Sequence, residues 1–206
     1  MGASTDYRVF NYNDKAKIKS EWDAEVNQSK NEDGCSYSGQ IGMLGSIGSW
    51  KNLKFSTQEQ AGDALFEGKT LFAGYGIRTD KEAYGTICKV LEVDNLVLCQ
   101  LVDDYFYHLD TCFCPLGNGH AIIYPKAFSS TSLERMSKEI ELHEIPEKDA
   151  KKFACNAVVI DNQVIIPSGC DETRRILESL GMVVFDVDMD QFILAGGACK
   201  CLTIKI

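Results

Sequence analysis

The chain has 206 residues, of which 45% are hydrophobic and 25% are charged, a composition typical of a globular protein with one sizeable core. Its net charge of −9 argues against nucleic acid as a partner, because phosphate binding relies on concentrated Lys and Arg. No apolar run approaches the roughly 18 residues that cross a bilayer, and the N-terminus shows no signal peptide. We expect a single domain over 1–206, cytoplasmic and without a membrane partner.

Residues 1–60 differ in pattern from the rest of the chain. The segment DKAKIKSEWDAEVNQ predicts a helix, whereas the polar SKNEDGCSYSGQ and the glycine-dotted IGMLGSIGSW predict loop or weak strand. We interpret 1–60 as an atypical or shortened N-terminal unit and 61–206 as regular repeated units.

A hairpin, a helix and a strand then follow one another three times. The first set is DALFEGKTLFAGY with a turn at Glu67-Gly68, DKEAYGTICKVL and NLVLCQLV. The second is YFYHLDTCFCPLGNGHAIIY, a helix from Thr131 with Glu134 at capping-box spacing, and ELHEI. The third is NAVVIDNQVIIP with a turn at Asp161-Asn162, DETRRILESL stopped by Gly181, and MVVFDVD.

The turns recur about every 45 to 50 residues, a period typical of stacked or radially arranged supersecondary units. The predicted fold class is therefore α/β with repeated ββαβ units. A single mixed α/β sandwich is the alternative.

The nine cysteines are odd in number and lie mostly in apolar segments, so we expect reduced thiols in the core and no disulfide framework. The pairs Cys112/Cys114 and Cys199/Cys201, with His108, also allow a zinc site or a dithiol switch. Zinc ribbons and fingers usually space their cysteines by two to four residues on a turn, and both pairs here lie in predicted strands. We therefore expect no metal and no cofactor.

The segment around His108 could carry proton transfer. Strand alternation would put His108, Asp110, Cys112 and Cys114 on one face. The imidazole could then move a proton while the carboxylate holds a cation. A solvated strand face is the alternative.

The C-terminal segment offers a candidate nucleophile. Gly196 and Gly197 permit close backbone approaches and lead into a predicted strand that presents Cys199 and Cys201 on one face. A thiol there becomes nucleophilic if a positive neighbour lowers its pKa, and is otherwise a core residue.

A third group precedes the first hairpin. Glu59 and Asp63 would share a face if the first strand starts that early, and Arg78 could pair with a carboxylate.

Five short segments follow one another along the chain. They are Gly62-Asp63, Gly74-x-x-x-Arg78-Thr79, His108-Leu109-Asp110, the CNAVVI stretch at Cys155–Ile160, and Gly196-Gly197-x-x-x-Cys201. Taken together, they resemble the guanidino-group-modifying superfamily of arginine deiminases, amidinotransferases and dimethylarginine dimethylaminohydrolases. The resemblance covers about Lys51 to the C-terminus.

The resemblance implies a pentein-like propeller of ββαβ units around a pseudo-fivefold axis, here lacking part of one blade. It implies that Cys201 attacks the guanidinium carbon to form a covalent thiouronium, and that His108 protonates the departing amine and then activates water or an acceptor amine. Asp110, with Asp63 and Glu59, would hold the cationic guanidinium, and Arg78 is a further candidate for substrate binding.

We therefore expect hydrolysis of a small guanidine, of the arginine or methylarginine type. An amidinotransferase is one alternative. A binding module without chemistry is another, because Ile77 stands where several members carry a glutamate that supports the histidine. A thiol-rich redox or metal-binding protein is the third. A second subunit could cover strand edges left by a missing blade, which suggests a homodimer.

Overall fold

The computed structural model describes residues 61–91 and 93–203, so the helix predicted near the N-terminus lies outside the described residues. Three three-stranded sheets follow one another along the chain. Each is an antiparallel hairpin whose second strand pairs in parallel with a third strand, which follows a helix. This confirms the predicted repeat of ββαβ units. Every helix in this part of the chain is too short or too polar to cross a bilayer.

The first unit contains β1 (Ala64–Glu67), β2 (Thr70–Tyr75), α1 (Tyr84–Leu91) and β3 (Asn95–Gln100). Its register pairs Glu67 with Thr70, so the turn is Gly68-Lys69, one residue later than predicted. Gly68 has a φ of 55°, which a residue without Cβ adopts at little cost.

The second unit contains β4 (Phe113–Pro115), β5 (His120–Ile123), α2 (Ser130–Glu139) and β6 (Glu141–Glu144). Helix α2 begins one residue before Thr131 and has Ser129 at its N-cap, so the predicted capping box is not formed. The residues between β3 and β4 belong to loops and one short 3₁₀ helix, Leu109–Thr111.

The prediction of a strand through His108 is therefore wrong. Strand alternation does not place His108 and Asp110 on one face, because Asp110 lies in a 3₁₀ helix. The backbone amide of Leu109 donates to the Asp63 carboxylate, and the Thr111 hydroxyl donates to the His108 carbonyl. Because these partners use the backbone groups that a strand ladder needs, the segment folds as a 3₁₀ turn.

The third unit follows the short helix α3 (Glu147–Ala150) and contains β7 (Val158–Ile160), β8 (Gln163–Pro167), α4 (Asp171–Ser179) and β9 (Val183–Val187). Ile160 pairs with Gln163, which confirms the predicted turn at Asp161-Asn162. Gly181 has a φ of 83° just beyond α4, as expected of a glycine that ends a helix.

The C-terminal segment differs from its prediction. After β9 come α5 (Asp190–Leu194) and a 3₁₀ helix at Lys200–Leu202, not a strand, so Cys199 and Cys201 do not share a strand face. The amides of Ala198 and Cys201 donate to the side-chain oxygen of Asn156. This oxygen takes the place of the carbonyl groups that a neighbouring strand would offer to those amides.

One hydrophobic core joins the three units. Phe72 of β2, Phe113 of β4 and Val164 of β8 belong to a single buried cluster. The rings of Phe72 and Phe113 lie 4.9 Å apart between centroids, so the first two sheets meet directly. The irregular segments that carry polar residues are thus anchored on a continuous core.

We predict that Gly74→Ala destabilises the fold by at least about 2 kcal/mol, because steric overlap in a packed core is costly. A Cβ at Gly74 would lie 2.6 Å from Asp63 Oδ1 and 2.8 Å from Leu109 Cβ. Gly85→Ala in α1 is the matched control, since its Cβ would meet nothing within 4 Å. It should stabilise the helix by up to about 1 kcal/mol. Urea unfolding measures both, and equal effects would contradict the packing described.

Candidate active site

Asp63 fixes the backbone next to His108. It ends the 3₁₀ turn before β1 and is fully buried. Its Oδ2 accepts a hydrogen bond from Thr79 Oγ1 at 2.7 Å, and its Oδ1 accepts one from the Leu109 amide at 2.8 Å. Burial raises the pKa of Asp63 to about 6, although both hydrogen bonds oppose that rise. Both carboxylate oxygens are therefore already engaged within the chain.

The imidazole of His108 lies against Gly62. A Cβ at Gly62 would lie 2.9 Å from His108 Nδ1 and 3.1 Å from Asp110 Oδ1, so a glycine is needed where the two side chains meet. Burial, together with the positive charge of Arg78, lowers the pKa of His108 to about 4. The ring is therefore neutral at neutral pH and can accept a proton.

Asp110 is buried, and its Oδ1 has no hydrogen-bond partner among the described residues. Its Oδ2 lies 4.0 Å from Cys201 Sγ. Burial raises the pKa of Asp110 to about 7, the Lys200 charge opposes the rise, and the Asp63 charge adds to it. An unpaired buried carboxylate is costly, and a cationic ligand would relieve that cost.

Asn156 joins the two segments that carry Asp110 and Cys201. Its Oδ1 accepts hydrogen bonds from the amides of Ala198 and Cys201, each at 3.1 Å. Its Nδ2 donates to Cys201 Sγ at 3.1 Å and to the Asp110 carbonyl at 3.3 Å. The side chain is fully buried, so one amide group satisfies four partners without solvent.

The resemblance includes the segment that contains Asn156, but no sequence pattern predicts a role for this residue. The available signal is an amide side chain inside the apolar run from Cys155 to Ile160. A buried polar residue in such a run needs specific partners. The sequence alone does not show which segments supply them.

Cys201 holds a protonated thiol in the unliganded chain. Burial raises its pKa to about 11, and the nearby Asp110 charge adds to the rise. The Asn156 side chain, the Ala198 amide and the Lys200 charge act in the opposite direction but more weakly. The sequence analysis made a nucleophilic thiol conditional on a positive neighbour that lowers its pKa. Lys200 is such a neighbour, but burial and the Asp110 charge outweigh its effect, and His108 is neutral.

Arg78 contacts an aromatic ring at the site. Its guanidinium carbon lies 5.2 Å from the centroid of Tyr107, within cation–π range.

The Tyr107 hydroxyl donates to the carbonyl of Gly196, which has a φ of 93°. A Cβ at Gly197 would lie 3.1 Å from Cys201 Cβ. Gly196 and Gly197 thus allow the close approaches that the sequence predicted.

The structure brings three of the predicted site residues together, namely His108, Asp110 and Cys201. Asp63 lies behind His108 and supports it through Leu109, and Arg78 lies over Tyr107. Glu59 lies outside the described residues.

The paired cysteines do not form the alternative zinc site or a disulfide. All eight described cysteines are free. Over 61–91 and 93–203, the two Cys-x-Cys pairs do not form a group close enough to hold a metal ion. Cys112, Cys114 and Cys199 are buried, and burial raises the pKa of each. They behave as core residues.

We predict that Asp110→Asn stabilises the protein, with a gain that grows as pH rises. A carboxyl whose pKa is raised favours folding while protonated, and this contribution is lost as pH rises from about 4 towards about 7. The gain should be roughly 1–3 kcal/mol near about pH 8 and less than half of that near about pH 5. Thermal unfolding at both pH values measures it. The exposed Asp104→Asn is the control, and a gain independent of pH would contradict the prediction.

We also predict that Asn156→Ala destabilises the protein by about 2–3 kcal/mol, because the amides of Ala198 and Cys201 lose their acceptor. Asn162→Ala, in the exposed turn between β7 and β8, should change stability by less than about 0.5 kcal/mol. Chemical denaturation of both variants tests this. Equal stability of the two variants would show that Asn156 does not hold the segment.

Comparison with known proteins supports a family assignment. The family described as "N,N dimethylarginine dimethylhydrolase, eukaryotic" matches residues 46–206. The bifunctional arginine dihydrolase/ornithine cyclodeaminase AgrE of Nostoc sp. is 42% identical over 165 residues, which cover 76% of this chain and 22% of AgrE. The N(G),N(G)-dimethylarginine dimethylaminohydrolase of Mycobacterium tuberculosis is 35% identical over 149 residues, which cover 72% of this chain and 49% of that enzyme.

Solved structures share the fold. The product-bound N-terminal domain of ArgZ, a cyanobacterial arginine dihydrolase, superposes with a TM-score of 0.68 at 39% identity, covering 71% of this chain and 55% of that domain. The dimethylarginine dimethylaminohydrolase of Pseudomonas aeruginosa superposes with a TM-score of 0.64 at 21% identity, covering 74% of this chain and 58% of that one, and shows the fold alone.

The chain spans between 22% and 55% of the length of the curated relatives that it matches. The likeness to the relatives confirms the pentein-like α/β fold that the sequence resemblance implied. The chain belongs to the dimethylarginine dimethylhydrolase family of guanidino-group-modifying proteins.

Proposed function

We propose that this protein hydrolyses a small guanidine compound of the arginine or methylarginine type through a covalent bond to Cys201. One observation carries the proposal: the Cys201 thiol lies 4.0 Å from a buried Asp110 carboxylate whose Oδ1 is unpaired among the described residues. A nucleophile beside an unsatisfied anion suits a substrate that is both cationic and electrophilic. The relatives named as arginine dihydrolase and dimethylarginine dimethylaminohydrolase support this substrate class.

Asp110 is the proposed anchor for the guanidinium group. Its Oδ1 can accept N–H bonds from a guanidinium, which supplies several donors in a fixed plane. Bound there, the cation would favour the ionised forms of both Asp110 and Cys201, because opposite charges at short range lower the pKa of an acid. Substrate binding would thus oppose the effects of burial and of the Asp110 charge, which raise the pKa of the Cys201 thiol and keep it protonated.

His108 is the proposed proton carrier. The neutral ring takes the thiol proton as Cys201 Sγ bonds to the guanidinium carbon, and returns it to the departing amine as the C–N bond breaks. Water then attacks the thiouronium carbon and gives one proton to His108, which returns it to Sγ as the C–S bond breaks. The second water proton leaves as the carbonyl of the urea-type product forms, and the released amine takes it up. The products are an amine and a urea-type compound. The lowered pKa of His108 fits a resting neutral base.

Three further residues are proposed to support the substrate or the site. Asp63 acts as a positioning residue, since its two oxygens already hold Thr79 and the Leu109 amide. Arg78, stacked on Tyr107, is suited to an anionic group at the far end of the substrate. Glu59 remains a proposed ligand from the sequence alone.

The alternatives leave different products. An amidinotransferase would use the same thiouronium but deliver the amidine to an acceptor amine in place of water. A catalytically degenerate member would bind arginine-like ligands without turnover. We favour hydrolysis because the relatives are named hydrolases, and because the half-buried thiol and imidazole and the buried carboxylate that it needs are all present.

We propose in addition a homodimer, no nucleic acid partner and a cytoplasmic location. The free state of all eight described cysteines supports a reducing compartment. The net charge of −9 supports the absence of nucleic acid.

A panel of guanidines tests the function. The full chain should release ammonia or a methylamine together with a urea-type product from at least one of them. Cys201→Ala should lower turnover by more than about 1,000-fold, because it removes the sulfur that forms the proposed covalent intermediate.

Cys199→Ala is the matched control, as Cys199 is a buried cysteine two residues away and outside the proposed chemistry. It should retain turnover. Ligand binding without product in the parent chain would instead favour the degenerate binding module. Product that appears only with an added acceptor amine would favour the transferase.

A further inference from the structure

A histidine pair lies outside the candidate active site, at the start of two paired strands. His120 begins β5 and Glu141 begins β6. The two strands are parallel, with His120 opposite Glu141 and Ile122 opposite His143. Opposed residues in parallel strands project to the same face, as do residues two apart on one strand. The side chains of His120, Glu141 and His143 therefore share a face.

Their ligand atoms are close enough to bind one ion. His120 Nδ1 lies 3.0 Å from His143 Nε2 and 3.4 Å from Glu141 Oε2. His143 Nε2 lies 3.8 Å from Glu141 Oε1. Two ligands at ordinary zinc bond lengths in a tetrahedron are about 3.3 Å apart, so these separations bracket the required spacing. Among the described residues, this is the one group of three such side chains that meets the spacing for an ion.

The backbone beneath the group is held in place before any ion binds. The amides of Gly117 and Gly119 donate to the Glu67 carboxylate of β1, at 3.0 and 2.9 Å. The amide of Glu141 donates to the Gly119 carbonyl at 2.9 Å. The turn that leads into β5 is thus fixed both to the first unit and to β6. Fixed ligand positions lower the ordering cost of binding.

We propose that His120, Glu141 and His143 form a binding site for a divalent first-row transition metal ion of the zinc type, with water completing the coordination. Two imidazoles and one carboxylate are ligands that Zn²⁺ and its neighbours prefer over Mg²⁺ or Ca²⁺. The side chains of His120 and His143 are 31% and 20% exposed, so an ion can enter from solvent. The bound ion would tie the start of β5 to the start of β6.

This site departs from the expectation of no metal. The two histidines are separated by more than a helix and lie on different strands, so no local spacing motif marks them. A hydrogen-bonded imidazole pair without metal is the competing interpretation. When both rings are neutral, the N–H of one can donate to the unprotonated nitrogen of the other across 3.0 Å.

Titration of the full chain with Co²⁺ under reducing conditions tests the proposal. The parent should bind about one ion with the visible d–d bands of nitrogen and oxygen ligands. It should show no thiolate-to-cobalt charge-transfer band, which would mark binding to cysteines. Zn²⁺ should displace the cobalt, and excess Mg²⁺ should not.

The variants His120→Asn, His143→Asn and Glu141→Gln should each weaken Co²⁺ binding by at least about tenfold, because each removes one ligand or its charge. His108→Asn, which changes the remaining histidine of the chain, should bind Co²⁺ as the parent does. Circular dichroism without metal establishes that each variant is folded. Three single variants are compared, so if one of them fails to fold, the other two still test whether these side chains bind the ion.

A thermal shift provides the second measurement. Zn²⁺ at a saturating concentration should raise the Tm of the parent and of His108→Asn, since an ion that binds only the folded state stabilises it. It should leave the Tm of His143→Asn unchanged. Parent-like Co²⁺ affinity in the His120 and His143 variants, or spectra from thiolate ligands alone, would overturn the proposal in favour of the metal-free imidazole pair.

Discussion

The candidate active site depends on the hydrogen bonds of the Asn156 side chain. This buried amide binds the backbone of the segment that carries Cys201, the sulfur itself and the carbonyl of Asp110. Neither segment is in a strand, so neither has a sheet ladder to fix it. Because every polar atom of a buried amide must find a partner, the position of Asn156 determines the positions of both segments. The distance between nucleophile and carboxylate follows from it.

Asp63 plays the corresponding part for His108. Its carboxylate accepts the Leu109 amide and so sets where the 3₁₀ turn begins, while Gly62 and Gly74 leave room for the imidazole and for the carboxylate itself. Two short irregular segments are thus each held by one buried polar side chain. The three ββαβ units supply the rigid core from which those side chains project.

The electrostatics of the site favour a cationic substrate and make the unliganded chain less stable. Two buried carboxyls have raised pKa values, and the thiol of Cys201 does too, because burial penalises every negative charge there. Such groups lower stability at neutral pH, which is common where function requires unpaired charge. A guanidinium would supply the missing positive charge and hydrogen-bond donors at once. The resting neutral state of His108 and Cys201 fits a reaction that starts only when substrate is present.

Sequence patterns determined the repeated units, the turn at Asp161-Asn162 and the end of a helix at Gly181. They also determined the family and three residues that meet at the site. These features follow from hydrophobic periodicity, from glycine conformations and from short motifs, all of which are local. Only the tertiary structure decided that His108 caps a 3₁₀ helix and that Cys201 lies in another, because side chains distant in sequence take the backbone hydrogen bonds that a strand would use. The role of Asn156, the protonated thiol and the histidine pair at β5 and β6 were also decided there, since burial and the distances between atoms of separate segments arise only when the chain has folded.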